Sequence, residues 1–225
     1  MRWSTIVINK NKSKAHFVIH PSLYLLGVFI IPLTMTPVVG DGWFWEVGNA
    51  LGFLGISIML ILTLNGRNKG GHSSFHRWVG FVCFFAIAGH ALWFILGDKT
   101  TIKYIMFGAP SYMVLGILSI VLMIILTFTS LLLFRKSAYR SYSIFSKWHR
   151  YLSFVMLIAS TLHVGLSGYY FVSVTQWIMI IGLLISAYFF QERDRFKKNK
   201  QNLWMLLLFS GVLLSAFVII RSGVL

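Results

Sequence analysis

Acidic residues are scarce in this sequence: five Asp and Glu stand against twenty Lys and Arg. Charge of either sign is thin, at 11% of residues against roughly 25% in an average soluble domain. A chain of 225 residues that is 57% hydrophobic cannot hide so much apolar surface from water, which excludes an ordinary soluble domain and indicates a polytopic membrane protein. Cysteine is limited to Cys83, so an intramolecular disulfide is excluded, and its apolar surroundings make it a small buried core residue. No G-x-G-x-x-G follows a strand, so no dinucleotide-binding domain is expected. With only four prolines, long helices are free to form; Pro32 and Pro37 are expected to kink or end the first, while Pro21 near its start is tolerated.

Seven apolar stretches remain, over 17–38, 43–64, 75–97, 111–134, 149–171, 174–190 and 203–221. Each is close to the roughly 20 residues a helix needs to cross hydrocarbon, and lipid forces the backbone to satisfy itself internally. The expected fold is an all-α integral membrane protein, a bundle of six to seven transmembrane helices. The chain divides into a basic arm over 1–16, a six-helix domain over 17–190, a charged loop over 191–202 and an additional helix within 203–225. The first run is too long for a signal core and lacks a small-residue cleavage site, so it reads as a span.

The net charge of +15 does not indicate nucleic acid, because the cations sit in short segments between apolar runs. With the N-terminus cytoplasmic, seventeen of the twenty Lys and Arg fall inside, leaving Lys99, Lys103 and Arg221 outside. That asymmetry predicts a multi-pass protein of the cell membrane with this orientation.

The chemistry is carried by a repeat. The third span begins Phe75-His76-Arg77-Trp78 and the fifth Trp148-His149-Arg150-Tyr151, and each has a second histidine fourteen residues on, at His90 and His163. Fourteen residues turn a helix through about 1400°, within about 40° of four full turns, so both histidines share a face. The rise is about 21 Å, too far for one metal and suited to two haems stacked along the membrane normal, held between the third and fifth helices. One span intervenes, so those two helices run the same way, and facing them pairs His76 with His149 and His90 with His163. Two imidazoles close both axial positions of a haem iron, which favours electron transfer over gas binding. There is no C-x-x-C-H, so the haems would be non-covalent, b-type groups. Arg77 and Arg150 would neutralise propionates of the inner haem or anchor helix ends at the headgroups.

On these histidines, on Trp148-His149-Arg150 and on Leu126-Thr127-Phe128-Thr129-Ser130, the chain resembles the ferric reductase-like transmembrane family over spans one to six. That family includes the membrane parts of ferric-chelate reductases, NADPH oxidases and the haem subunit serving methionine sulfoxide reductase. The resemblance implies an inner b-type haem at His76 and His149 and an outer one at His90 and His163, passing electrons outward. It implies an oxidoreductase or its electron-transfer subunit. Ferric iron is the leading acceptor, with oxygen or an extracytoplasmic reductase as others. Without a nucleotide domain, the donor would be a cytoplasmic flavin reductase, with FAD or FMN on that separate protein, or a membrane quinol. The seventh span exceeds the family's usual six.

A non-catalytic membrane anchor and a transporter with intramembrane histidines are the rival classes. Among other residues, His16 and His20 are expected at the cytoplasmic interface and His72 in solvent. Asp41, Glu46 and Asp98 are acids near the outer side that could attract a ferric species. Lys147 and the run from Arg193 to Lys200 could dock an acidic donor or attract anionic lipid.

Overall fold

The computed structural model describes residues 21–35, 42–64, 74–106, 108–131, 141–189 and 200–222. Among them all regular structure is helical. The order is α1 (Pro21–Met35), α2 (Trp43–Leu64), α3 (Ser74–Gly97), a 3₁₀ turn (Thr101–Tyr104), α4 (Ser111–Ser130), α5 (Tyr142–Leu166), α6 (Val174–Phe189) and α7 (Lys200–Arg221).

Local chemistry explains the ends. Proline opens α1, where a missing N–H is no loss, and Pro32 lies within it without stopping it before Met35. Pro37 falls outside the described residues. The Gly42 carbonyl accepts from the N–H groups of Trp45 and Glu46 and starts α2. At the end of α4, Leu131 turns extended, so that helix stops short of the expected residue 134. The fifth helix differs most from the expected 149–171. It begins at Tyr142 because Ser141 Oγ accepts from the Ile144 N–H at 3.3 Å. It ends at Leu166 because the chain then turns through Gly168 at φ +74°, a region glycine enters without penalty.

Among the described residues, four helices are both long and apolar enough to cross a membrane: α2, α3, α4 and α7. Both α1 and α6 are apolar but shorter. At 25 residues α5 is the longest helix among the described residues. Its apolar character is diluted by Lys147, His149, Arg150 and His163, the price of carrying polar groups on a spanning element.

Packing arranges the elements around two histidine-bearing helices. Along their lengths α2 lies against α3 and α4 against α5, while α2–α5 and α3–α4 contacts close a ring of four. Within this ring α3 and α5 occupy opposite corners. Outside it, α1, α6 and α7 pack against α2, which is why 67% of the α2 span is buried against 17–28% of the spans of α3, α4 and α7. The pair α1 and α6 runs antiparallel. Tyr24, early in α1, bonds Ser186 Oγ late in α6 at 3.2 Å, and Gln176 Nε2, early in α6, donates to the Ile31 carbonyl late in α1 at 3.3 Å.

Candidate functional site: two facing histidine pairs

Helix periodicity puts His76 and His90 on one face of α3, and His149 and His163 on one face of α5. In the folded ring these faces meet. The His76 and His149 ring centroids are 6.2 Å apart and those of His90 and His163 are 6.4 Å apart. An imidazole nitrogen reaches a metal at about 2.0–2.1 Å, and a ring radius on either side brings the centroid separation to roughly 6 Å. Both gaps fit one ion between two imidazoles. Among the described residues no group of three or more His, Cys, Asp or Glu gathers. Each pair thus offers two protein ligands, which suits a metal whose other positions are filled by a macrocycle and not a tetrahedral ion needing four side chains.

The second pair carries a further constraint. The Nδ1–H of His90 donates to the Gly48 carbonyl of α2 at 2.8 Å, and the Nδ1–H of His163 donates to the Tyr112 carbonyl of α4 at 2.7 Å. A carbonyl only accepts, so both rings are fixed with the proton on Nδ1 and a free lone pair on Nε2. Histidines that bind metals are commonly oriented in this way. Aromatic rings flank the pairs: Phe94 lies 5.3 Å from His90, Tyr112 6.0 Å from His163 and Phe145 5.2 Å from His149. Between the two levels α3 buries Val79, Cys83, Ala86 and Ile87, and α5 buries Met156, Leu157 and Ala159 together with the polar Ser160 and Thr161. The Cys83 thiol donates to the Gly55 carbonyl at 3.6 Å and is fully buried, as its position among apolar residues suggested. Arg77 and Arg150 are exposed beside the first pair.

Residues 50–145 match the family model of the ferric reductase like transmembrane component. The match runs from Ala50 in α2 through α3 and α4 to the start of α5. It contains His76 and His90 and stops just before His149, so the second half of the repeat lies beyond it. A ferric reductase like segment indicates a general role in membrane electron transfer, and such domains generally bind haem. No curated protein and no solved structure matches the chain.

The remaining residues singled out from the sequence fare differently. His16, His20, Asp41, His72 and most of the run from Arg193 to Lys200 lie outside the described residues. Glu46 is not a surface acid: it is 1% exposed and paired with Arg221, whose Nε stands 3.4 Å from its carboxylate, so it has no access to an external cation. Asp98 accepts from the Thr100 hydroxyl at 2.5 Å and the Thr100 N–H at 2.9 Å, and these bonds hold its carboxyl below the ordinary value. Lys147 is exposed. The carbonyls of Gly48 and Tyr112 escaped the sequence reading because every residue owns a carbonyl, and only tertiary contact selects two of them.

Proposed function

We propose that the chain binds two b-type haems, one between His76 and His149 and one between His90 and His163, and conducts electrons across the cell membrane. The observation that carries this reading is the matched gap: two pairs of imidazoles, on the same two helices, both separated by the width of a bis-imidazole metal site. Iron porphyrin held between two imidazoles supplies a centre that gains and loses one electron without exchanging a ligand.

The chain's own groups do the rest. The four histidines would hold the two groups, and at the second pair Nε2 would be the ligand atom, because the carbonyls of Gly48 and Tyr112 hold the opposite ring nitrogen protonated. Buried apolar side chains of α3 and α5 lie between the levels. Arg77 and Arg150 offer cations to the carboxylates of the group at the first pair. The basic segments favour the cytoplasm for that end, so the group held by His76 and His149 would take electrons from the inner side and the group held by His90 and His163 would pass them outward. A separate flavoprotein or a membrane quinol is the donor, and ferric iron is the favoured acceptor, with oxygen or an extracytoplasmic reductase as alternatives.

Reduced-minus-oxidised spectra of the purified chain, with haem counted per chain, test the proposal. Two haems are expected in the wild type. His76→Ala and His149→Ala should remove the same one, and His90→Ala and His163→Ala the other. Absence of b-type absorbance after expression with ample haem overturns it.

A further inference from the structure

We infer that Gly52 and Gly116 are positioning residues for His90 and His163: each, by lacking a Cβ, leaves open the helix carbonyl one turn earlier to which the imidazole Nδ1–H donates. This assignment rests on the two-haem proposal and concerns the second pair alone.

Gly52 follows Gly48 by four residues, and Gly116 follows Tyr112 by four. In an α-helix residues i and i+4 share a face, and every Cα–Cβ bond tilts toward the N-terminus, so a side chain at i+4 covers the carbonyl at i. That carbonyl takes the helix's own bond from the N–H at i+4 and keeps a second lone pair. A residue without Cβ at i+4 leaves room for a ring from a neighbouring helix to reach it. A Cβ added at Gly52 would fall 3.0 Å from His90 Nδ1 and 3.1 Å from its Cε1. One added at Gly116 would fall 2.9 Å from both Nδ1 and Cε1 of His163. Both are inside ordinary contact, which begins at about 3.5 Å between carbon atoms.

Other helical glycines meet something else. A Cβ at Gly48 would strike Phe94, at Gly55 Ile87, at Gly97 Phe44 and at Gly165 Trp177, which is ordinary close packing between helices. Gly182 and Gly211 would meet nothing. Of the helical glycines described, those whose missing Cβ faces an imidazole are Gly52 and Gly116, and each stands four residues past the carbonyl that its imidazole uses. The device occurs twice, on two separate helix pairs, α2 with α3 and α4 with α5.

Donation from Nδ1–H makes the imidazole a more basic ligand. A more electron-rich ligand favours the oxidised metal and lowers its potential. Moving the ring off its carbonyl by a few tenths of an ångström lengthens that bond and reverses the effect.

The test uses the full chain loaded with haem. Redox titration and low-temperature electron paramagnetic resonance are compared for wild type, Gly52→Ala and Gly116→Ala, with Gly182→Ala and Gly211→Ala as controls. Each of the first two variants is expected to raise one midpoint and move the g-values of that haem alone, and to weaken its retention roughly 10–100-fold. The controls should move neither. Unchanged midpoints and g-values in both Gly52→Ala and Gly116→Ala overturn the assignment while leaving the two-haem proposal standing; a wild type without haem fails the proposal itself.

Should Gly52→Ala not yield folded protein, the question passes to a His90→Ala background, where haem at the first pair reports folding. If the glycine acts through the ring, Gly52→Ala lowers the yield and thermal midpoint no further there. An equal loss in both backgrounds assigns Gly52 to helix packing and overturns the inference.

Discussion

Glu46 and Arg221 bring opposite charges together where neither meets water. Their side chains are 2% and 5% exposed. Tyr170 donates to Glu46 Oε2 at 3.1 Å, Asn49 Nδ2 donates to the Tyr170 hydroxyl at 2.7 Å, and the guanidinium lies 5.0 Å from the Tyr170 ring centre. Breaking such a pair strands a buried charge, so Glu46→Ala should destabilise the protein by roughly 3–5 kcal/mol in thermal unfolding. Removing both charges, as in Glu46→Ala with Arg221→Met, should restore much of that loss; equal damage from the single and double variants would show the pair to be unimportant. Asp98 behaves differently because it is solvated. Its carboxyl is more acidic in the folded chain, so the stabilisation of the Thr100 turn is present above the ordinary carboxylate range and lost as pH falls through the depressed value. The protection factor of the Thr100 amide, its exchange rate corrected for the intrinsic effect of pH, should therefore fall on acidification, and Asp98→Asn should remove that fall.

Among the elements, α5 departs furthest from what hydropathy suggests. Residues 142–148 include two serines, Lys147 and a tyrosine, so apolar counting starts the span at His149. Helix formation asks only that backbone groups be paired, and the Ser141 cap begins the pairing a full two turns earlier. That extension buries Phe145 against His149. Ser141→Ala should cost about 1 kcal/mol, read as a lower thermal midpoint, whereas Ser141→Asp should hold near wild type. If Ser141→Ala melts like wild type, the start of α5 is held by packing and not by its cap. For α7 the sequence left the topology open. Pairing of Arg221, at its end, with Glu46, in the first turn of α2, sets α7 antiparallel to α2 and brings its C-terminal end to the level of the second histidine pair.

Across the whole molecule the helices alternate in direction, so the loop after α3 and the start of α5 lie at opposite ends of the bundle. Cys83 is fully buried and should give no labelling background. A cysteine at Lys99 and one at Lys147 should therefore react with a membrane-impermeant maleimide from opposite sides of sealed vesicles. Labelling of both from the same side would refute the transmembrane arrangement.

The sequence by itself determined the membrane environment, the helical class and the parallel course of the two histidine-bearing helices. Apolar run length and the fourteen-residue spacing are local quantities and need no partner to have meaning. Only the tertiary structure decided how far apart the facing rings stand, which two carbonyls receive their protons and where α7 docks. Those depend on how side chains of distant helices fill the space between them, and an α-helix gives the same periodicity whatever it packs against.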